Sequence, residues 1–325
     1  MKNIAIVCGG YSGEYQISLQ SAEMVKNNLD KEKYNSYVIV IEEDQWYYKD
    51  GDNINHRINI TDFTLNLSNT IIKFDGVFNA IHGTPGEDGK LLGYFDLLKI
   101  PYTSCCMDIS ALTFNKYLCN SFVSSLGINV PNSFSFLDGE TINKEEVIKS
   151  LGLPVFIKPA RSGSSVGISK VNDVKDFDSA VAKATKTDNR ILIEENIVGR
   201  EITCGLYLKN DKLNVFPLTE IISKNEFFDY DAKYTTWLAD EITPPSNLTF
   251  EQETDIKATS SLLYNKLDCK GIVRIDFILT DTDLYFIEIN TVPGLSPASI
   301  IPQQAEAMGI TVAELFNSLV ENMFE

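Results

Sequence analysis

Val155-Phe156-Ile157-Lys158-Pro159-Ala160-Arg161-Ser162-Gly163-Ser164-Ser165-Val166-Gly167 decides how the chain is read: a short apolar strand ends in a cation and runs into a Gly/Ser turn. Small residues let backbone N–H groups approach a triphosphate closely, and Lys158 can neutralise an inner phosphate. The Lys precedes the glycines and no GK[ST] follows, which excludes a Walker A loop. Taken alone, the stretch reads equally as a hairpin turn carrying a surface lysine.

On the C-terminal side, Arg274-Ile275-Asp276 and Glu288-Ile289-Asn290 read as successive strands joined by a turn near Asp281 to Asp283. Residues two apart in a strand share a face, so Glu288 and Asn290 point the same way and Asp276 can lie across from them. Three hard oxygen ligands of this kind suit Mg²⁺, or Mn²⁺, completed by water and nucleotide phosphates. A solvated hairpin face has the same alternation. In the segment that follows, Asn290-Thr291-Val292-Pro293-Gly294-Leu295-Ser296, the Gly294 N–H can meet a developing oxyanion with Arg274 adding charge, or the Pro-Gly pair can be an ordinary type II turn.

On the N-terminal side, residues 4–8 form a β-rich run ended by Gly9-Gly10, and 18–29 places Leu19, Ala22, Val25 and Leu29 on one helical face. The continuous apolar runs 37–41 and 76–81 resemble strands of a parallel sheet, with 94–98 as a helix between two of them. An open α/β unit then ends near 101–107. A helix around 115–126, a strand at 155–158, a helix about 179–184 and a strand at 191–195 follow. Antiparallel strands are expected at 199–208, 271–279 and 284–289. The stretch 226–245 reads as a long ordered loop, of a length often used as a lid.

Composition narrows the function. The 325 residues are 44% hydrophobic, enough for more than one packing unit, and 28 Lys plus Arg against 45 Asp plus Glu leave a formal charge of −17. A field of that sign disfavours nucleic acid and anionic membrane as partners. Cys8, Cys105, Cys106, Cys119, Cys204 and Cys269 contain no CxxC, so neither a zinc framework nor a disulfide scaffold is indicated. The short apolar start is no signal segment and no run approaches the ~20 apolar residues of a spanning helix, so the expectation is a soluble cytoplasmic protein. Gly9-Gly10-Tyr11-Ser12-Gly13 is not GxGxxG, which removes a nicotinamide reading.

Five motifs in order resemble the D-alanine–D-alanine ligase family: Gly9 to Glu14, His82-Gly83-Thr84-Pro85-Gly86-Glu87-Asp88-Gly89, 158–167, Asp229-Tyr230-Asp231-Ala232-Lys233-Tyr234, and the Arg274–Gly294 set. The resemblance runs from residue 4 to about 320. It implies an ATP-grasp fold mixing α/β and α+β: an N-terminal Rossmann-like unit over 1–107, a central unit with the phosphate loop over 108–194, and a C-terminal unit with lid and metal site over 195–325. It implies ATP-dependent, ADP-forming ligation of two D-alanine molecules through an acylphosphate, for peptidoglycan precursors, by a homodimer.

Residue by residue, the resemblance puts Glu14 on the first ammonium and His82 beside the first carboxylate. Arg274 and Gly294 serve the oxyanion, and Ser299 the second carboxylate with Ile300 beside it. Lys116, Lys158 and Lys233 surround the phosphates, with Ser164 and Ser165 in the loop. Glu194, Glu195 and Ile197 meet adenine and Glu201 the ribose. Two Mg²⁺ would sit on Asp276, Glu288 and Asn290, and Ser164 and Tyr234 would bond Glu14 across the first substrate. The intact Lys233-Tyr234 pair favours an amine over the hydroxyl used by D-alanyl-D-lactate relatives, and Glu14 with His82 favours a small D-amino acid over other carboxylate–amine ligations. A silent nucleotide-binding module would have lost Arg274, Asp276, Glu288 or Asn290. Two departures stand out: Tyr15-Gln16 where the family has His or Arg and then Glu, and Ala160 where Ser is frequent.

Overall fold

The computed structural model describes residues 1–163, 165–223 and 239–325. The first sheet holds β1 (Lys2–Gly9), β2 (Tyr34–Ile41), β3 (Trp46–Lys49), β4 (Asn55–Asn59), β5 (Thr64–Leu67), β6 (Thr70–Lys73) and β7 (Gly76–Asn79), with α1 (Tyr15–Asn28) after β1. Its order is β6-β5-β4-β3-β2-β1-β7, and β1 is parallel to both β2 and β7. Ile4 to Cys8 are fully buried because both faces are covered: Ile4, Ile6 and Cys8 enter one core, Ala5 and Val7 another. The core on the first face continues into Tyr207, Phe216, Ile272, Leu315 and Phe316 from the far end of the chain. Burial thus locks the C-terminal ends of β1 and β7, where Glu14 and His82 emerge, against the C-terminal part.

Three helices follow, α2 (Lys90–Leu98), α3 (Met107–Phe114) and α4 (Lys116–Ser125). Asn115 caps α4 by accepting from the Leu118 N–H at 3.3 Å, which puts Lys116 in the first turn. The second sheet contains β8 (Ser133–Leu137), β9 (Val155–Pro159), β10 (Ser169–Val171) and β11 (Arg190–Glu195) in the order β10-β9-β11-β8, backed by α5 (Lys144–Leu151) and α6 (Phe177–Thr185). The third contains β12 (Arg200–Lys209), β13 (Lys212–Val215), β14 (Thr219–Ser223), β15 (Ala239–Ile242), β16 (Ile272–Leu279) and β17 (Leu284–Asn290), in the order β15-β14-β12-β16-β17 with β13 on β12. Helices α7 (Phe250–Lys266), α8 (Ile300–Ala307) and α9 (Val312–Asn322) complete it.

Three expectations need correction, and one helix was not expected. The first sheet is mixed, because β3 to β6 form an antiparallel extension in an Asn-rich stretch whose short strands lack a continuous apolar run. The helix expected at 94–98 follows β7 instead of lying between the two named strands, and leads to a parallel bridge between Val77 and Tyr102. Residues 239–242 are strand, where a loop to 245 is expected. Helix α7 escapes a period search because only Ile256, Ser260, Leu263 and Tyr264 are buried along 17 residues; the readable signal is its Thr249/Gln252 capping box. No helix among the described residues is long and apolar enough to cross a membrane.

Candidate active site

Lys158 is no surface lysine. It is the penultimate residue of β9, at 6% exposure, and its Nζ lies 2.5 Å from Glu194 Oε2 on the adjacent β11. Asn120 Nδ2 donates to the other Glu194 oxygen at 3.2 Å, tying α4 to the pair. Lys116 is also buried; its Nζ donates to the Ser162 carbonyl at 2.9 Å and lies 3.2 Å from Glu288. Burial pulls the Lys116 ammonium down, but Glu288, Glu194 and Glu87 outweigh it and hold its pKa above the ordinary lysine value. These side chains line a cleft between the second and third sheets together with Ser165, Glu195, Ile197, Glu201, Arg274 and Asp276. Glu195 Oε1 accepts from both nitrogens of Asn132, at 2.7 and 2.9 Å.

The floor is the β16–β17 hairpin, in which Asp276 faces Glu288 and Arg274 faces Asn290 across the ladder. Arg274 grips Asp276 twice, at 2.9 and 2.7 Å, while Asn290 Nδ2 donates to the same carboxylate at 3.0 Å and Thr203 Oγ1 at 2.5 Å. Burial opposes the Arg274 charge, and Asp276, Glu288 and Glu201 overcome it, so the guanidinium stays ionised. Two carboxylates and the Asn290 amide oxygen form a hard donor set; among the described residues no group of three or more Asp, Glu, His or Cys could hold a metal unaided. Mg²⁺ keeps several waters and takes one or two carboxylates plus substrate phosphates, so this set fits it as a site that a nucleotide completes.

The other side of the cleft gathers the N-terminal motifs. A Cβ on Gly163 would stand 2.8 Å from Glu14 Oε2, and one on Gly83 3.6 Å away, so the Glu14 carboxylate lies between the phosphate loop and the His82-Gly83 turn. His82 is buried, with Nδ1 2.7 Å from the Val292 carbonyl and Nε2 3.1 Å from Ser21 Oγ. The carbonyl can only accept, so Nδ1 carries the hydrogen and the Ser21 hydroxyl donates to Nε2. Desolvation lowers the His82 pKa against the pull of Glu14, leaving a neutral ring. The ring thereby ties Ser21 on α1 to the 291–294 turn. At the end of that turn, a Cβ on Gly294 would approach Ser299 Oγ to 2.7 Å; Ser299 starts α8 and bonds Ser296 Oγ at 2.8 Å, with Ile300 buried next to it.

Glu87, which the sequence reading quotes in a motif but gives no role, is central to this cluster. Its oxygens accept from the Gly83 and Val292 N–H groups at 3.0 and 3.3 Å, and burial, with Glu14 adding repulsion, pushes its pKa up to about 7. The unfolded chain releases this proton near pH 4.5 while the folded chain keeps it to about 7, so stability from Glu87 is full below 4.5 and falls as pH rises across that window. Melting of Glu87→Gln is expected to lose this fall, on the order of 3 kcal/mol, relative to the parent chain between pH 4.5 and 7; identical pH slopes would refute it. Thr203 and Ser21 were also missed, since their roles follow from strand register and long-range packing that no local motif encodes.

Ser164, Lys233 and Tyr234 lie outside the described residues. Of the two departures, Tyr15 donates to Glu42 at 2.7 Å, while Gln16 is exposed. Ser18 bonds the Ala80 carbonyl at 2.7 Å and the Gly9 N–H at 2.9 Å, holding the ends of β1 and β7 together. Ala160 is buried, and its backbone bonds Arg190 and Lys116, so the loop is anchored without a side-chain hydroxyl there.

Comparison with known proteins agrees over the whole length. Residues 3–105 match the family model described as D-ala D-ala ligase N-terminus, and 122–321 the one described as D-ala D-ala ligase C-terminus. A D-alanine–D-alanine ligase of Parabacteroides distasonis is 43% identical over 99% of this chain and 97% of its own. The crystal structure of D-alanyl-alanine synthetase A from Vibrio cholerae superposes with a TM-score of 0.89 at 27% identity, covering 100% and 99% of the two chains. A Bacillus anthracis D-alanine–D-alanine ligase crystallised with ATP gives 0.79 at 26%, covering 100% and 97%. With both family models matched in order and the cleft assembled from the motifs they contain, the chain belongs to the D-alanine–D-alanine ligase family.

Proposed function

We propose that this protein joins two D-alanine molecules at the expense of ATP, forming ADP, phosphate and D-alanyl-D-alanine for peptidoglycan precursors. The observation that carries the reading is the convergence in one cleft of Lys116, Lys158 and Arg274 with Asp276 and Glu288, and the Glu14 carboxylate against the phosphate loop. Attack by a carboxylate on a triphosphate brings anion to anion, and each preorganised cation or donor contributes roughly 10²–10³ in rate. Lys116 and Lys158 would bind the phosphates, and Mg²⁺ on Asp276, Glu288 and Asn290 would neutralise their oxygens. Ser162 lines this cleft, and its Oγ is buried with no hydrogen-bond partner among the described residues, a cost of about 1–3 kcal/mol that a bound oxyanion would offset.

Glu14 would hold the ammonium of the first D-alanine and Arg274 its carboxylate, which attacks the γ-phosphate. The amine of the second D-alanine, its carboxylate on Ser299 and its methyl near Ile300, then attacks the acylphosphate; Arg274 and the Gly294 N–H meet the tetrahedral oxyanion, and phosphate leaves. Ser164, Lys233 and Tyr234 enter on the resemblance. Glu195, Ile197 and Glu201 would hold the nucleoside, with Glu194 fixing Lys158. The division at 107 and 194 belongs to the same reading: each sheet draws its strands from one unit, β11 crossing the second boundary by one residue. A homodimer and a cytoplasmic location rest on the resemblance.

ADP release should depend jointly on D-alanine and Mg²⁺ and be at background with L-alanine. Equal ADP release with and without D-alanine would contradict the proposal.

A further inference from the structure

A free amino acid is a zwitterion, so a site for each substrate needs one group for its carboxylate and one for its ammonium. The proposed ligation, on which this inference rests, gives the first D-alanine both, in Arg274 and Glu14. For the second it gives Ser299, at the positive N-terminus of α8, and no partner for the ammonium.

Glu241 stands where that partner is needed. Across the third sheet Ile278 pairs with Glu201, Glu201 with Ile221, and Ile221 with Glu241, and register partners in neighbouring strands share a face. Ile278, Glu201 and Ile221 line the nucleotide cleft, so Glu241 continues the same row on β15. Its Oε2 accepts from Gln303 Nε2 at 2.7 Å, and the same nitrogen donates to the Ala298 carbonyl at 3.2 Å. Gln303 lies one helical turn beyond Ser299 on α8, so this one amide ties the carboxylate to the residues expected to hold the second substrate. Burial raises the Glu241 pKa, with Gln303 and Arg274 pulling it back, and among the described residues no cation pairs with it. A half-buried carboxylate tied to a neutral amide is short of a positive charge.

We propose that Glu241 binds the ammonium of the second amino acid and takes the proton that must leave before it can attack. The nitrogen lone pair then forms the C–N bond, the acyl C–O bond to phosphate breaks with its electron pair going to phosphate, and the second nitrogen proton leaves with that phosphate. Gln303 is a positioning residue for Glu241.

The test uses a nucleophile that needs no such base. Hydroxylamine is uncharged at neutral pH and traps an acylphosphate as the hydroxamate. With ATP, Mg²⁺ and D-alanine, Glu241→Gln, which keeps the bond from Gln303, is expected to form D-alanine hydroxamate within twofold of the parent rate while dipeptide formation falls at least tenfold. Glu241→Asp should recover part of the dipeptide rate, and Gln303→Leu should show a smaller loss of dipeptide with the same sparing of hydroxamate. Dipeptide formation within twofold of the parent in Glu241→Gln, or equal loss of both products, would overturn the inference while leaving the ligation reading intact. A parent chain that makes no dipeptide from D-alanine would overturn the ligation reading and this inference together.

Discussion

Asp276→Asn is expected to lower dipeptide formation by about 10³-fold in a chain that remains folded. Asp276 has two tasks that asparagine splits. It supplies carboxylate oxygens at the centre of the β16–β17 floor, facing Glu288, and it neutralises the buried Arg274 through two hydrogen bonds. Asparagine preserves the shape and one acceptor oxygen, so Thr203 and part of the Arg274 contact survive, and Glu288 and Glu201 still stabilise the guanidinium. The charge that would hold Mg²⁺ is gone. Turnover measured against Mg²⁺ concentration should need far more metal and reach a far lower plateau; a rate within tenfold of the parent at ordinary Mg²⁺ would move the metal site elsewhere.

Lys158→Met should be damaging twice over, and the two effects separate. Both members of the Lys158–Glu194 pair are almost fully buried, at 8% and 5% side-chain exposure. Removing the lysine strands a buried carboxylate, which costs about 3–5 kcal/mol of stability. It also removes a cation from the phosphate side of the cleft. The double variant Lys158→Met/Glu194→Gln removes the stranded charge, so its melting temperature should return most of the way while ATP affinity stays reduced by about 10- to 100-fold, the weight of one charge-assisted contact of about 1.5–3 kcal/mol. Recovery of ATP binding along with stability would make the pair a structural ion pair and nothing more.

What the sequence made legible follows from the range of the interactions involved. The strand–Gly/Ser turn at Lys158 and the alternation 274–276 and 288–290 are short-range patterns, and the third sheet brings Asp276 opposite Glu288 as alternation requires. Residues 4–8 read as a doubly covered strand because every one of them is apolar. The antiparallel extension β3 to β6 did not, since its faces carry Asn, Arg and Thr and only Ile58, Thr64 and Leu65 among its strand residues are buried. The His82–Val292 bond joins residues 210 positions apart and the Glu87–Val292 bond 205; no periodicity registers either. Lys158 was ambiguous for a related reason: its burial is set by Glu194 on a neighbouring strand, not by anything next to it in the chain.

The most direct test of the central claim is the identity of the product. Purified protein is given ATP, Mg²⁺ and equal amounts of D-alanine and D-lactate, and the products are resolved by mass. The expected result is one equivalent of ADP per D-alanyl-D-alanine, with no depsipeptide above background. ATP binding without either product, or D-alanyl-D-lactate as the main one, would contradict it.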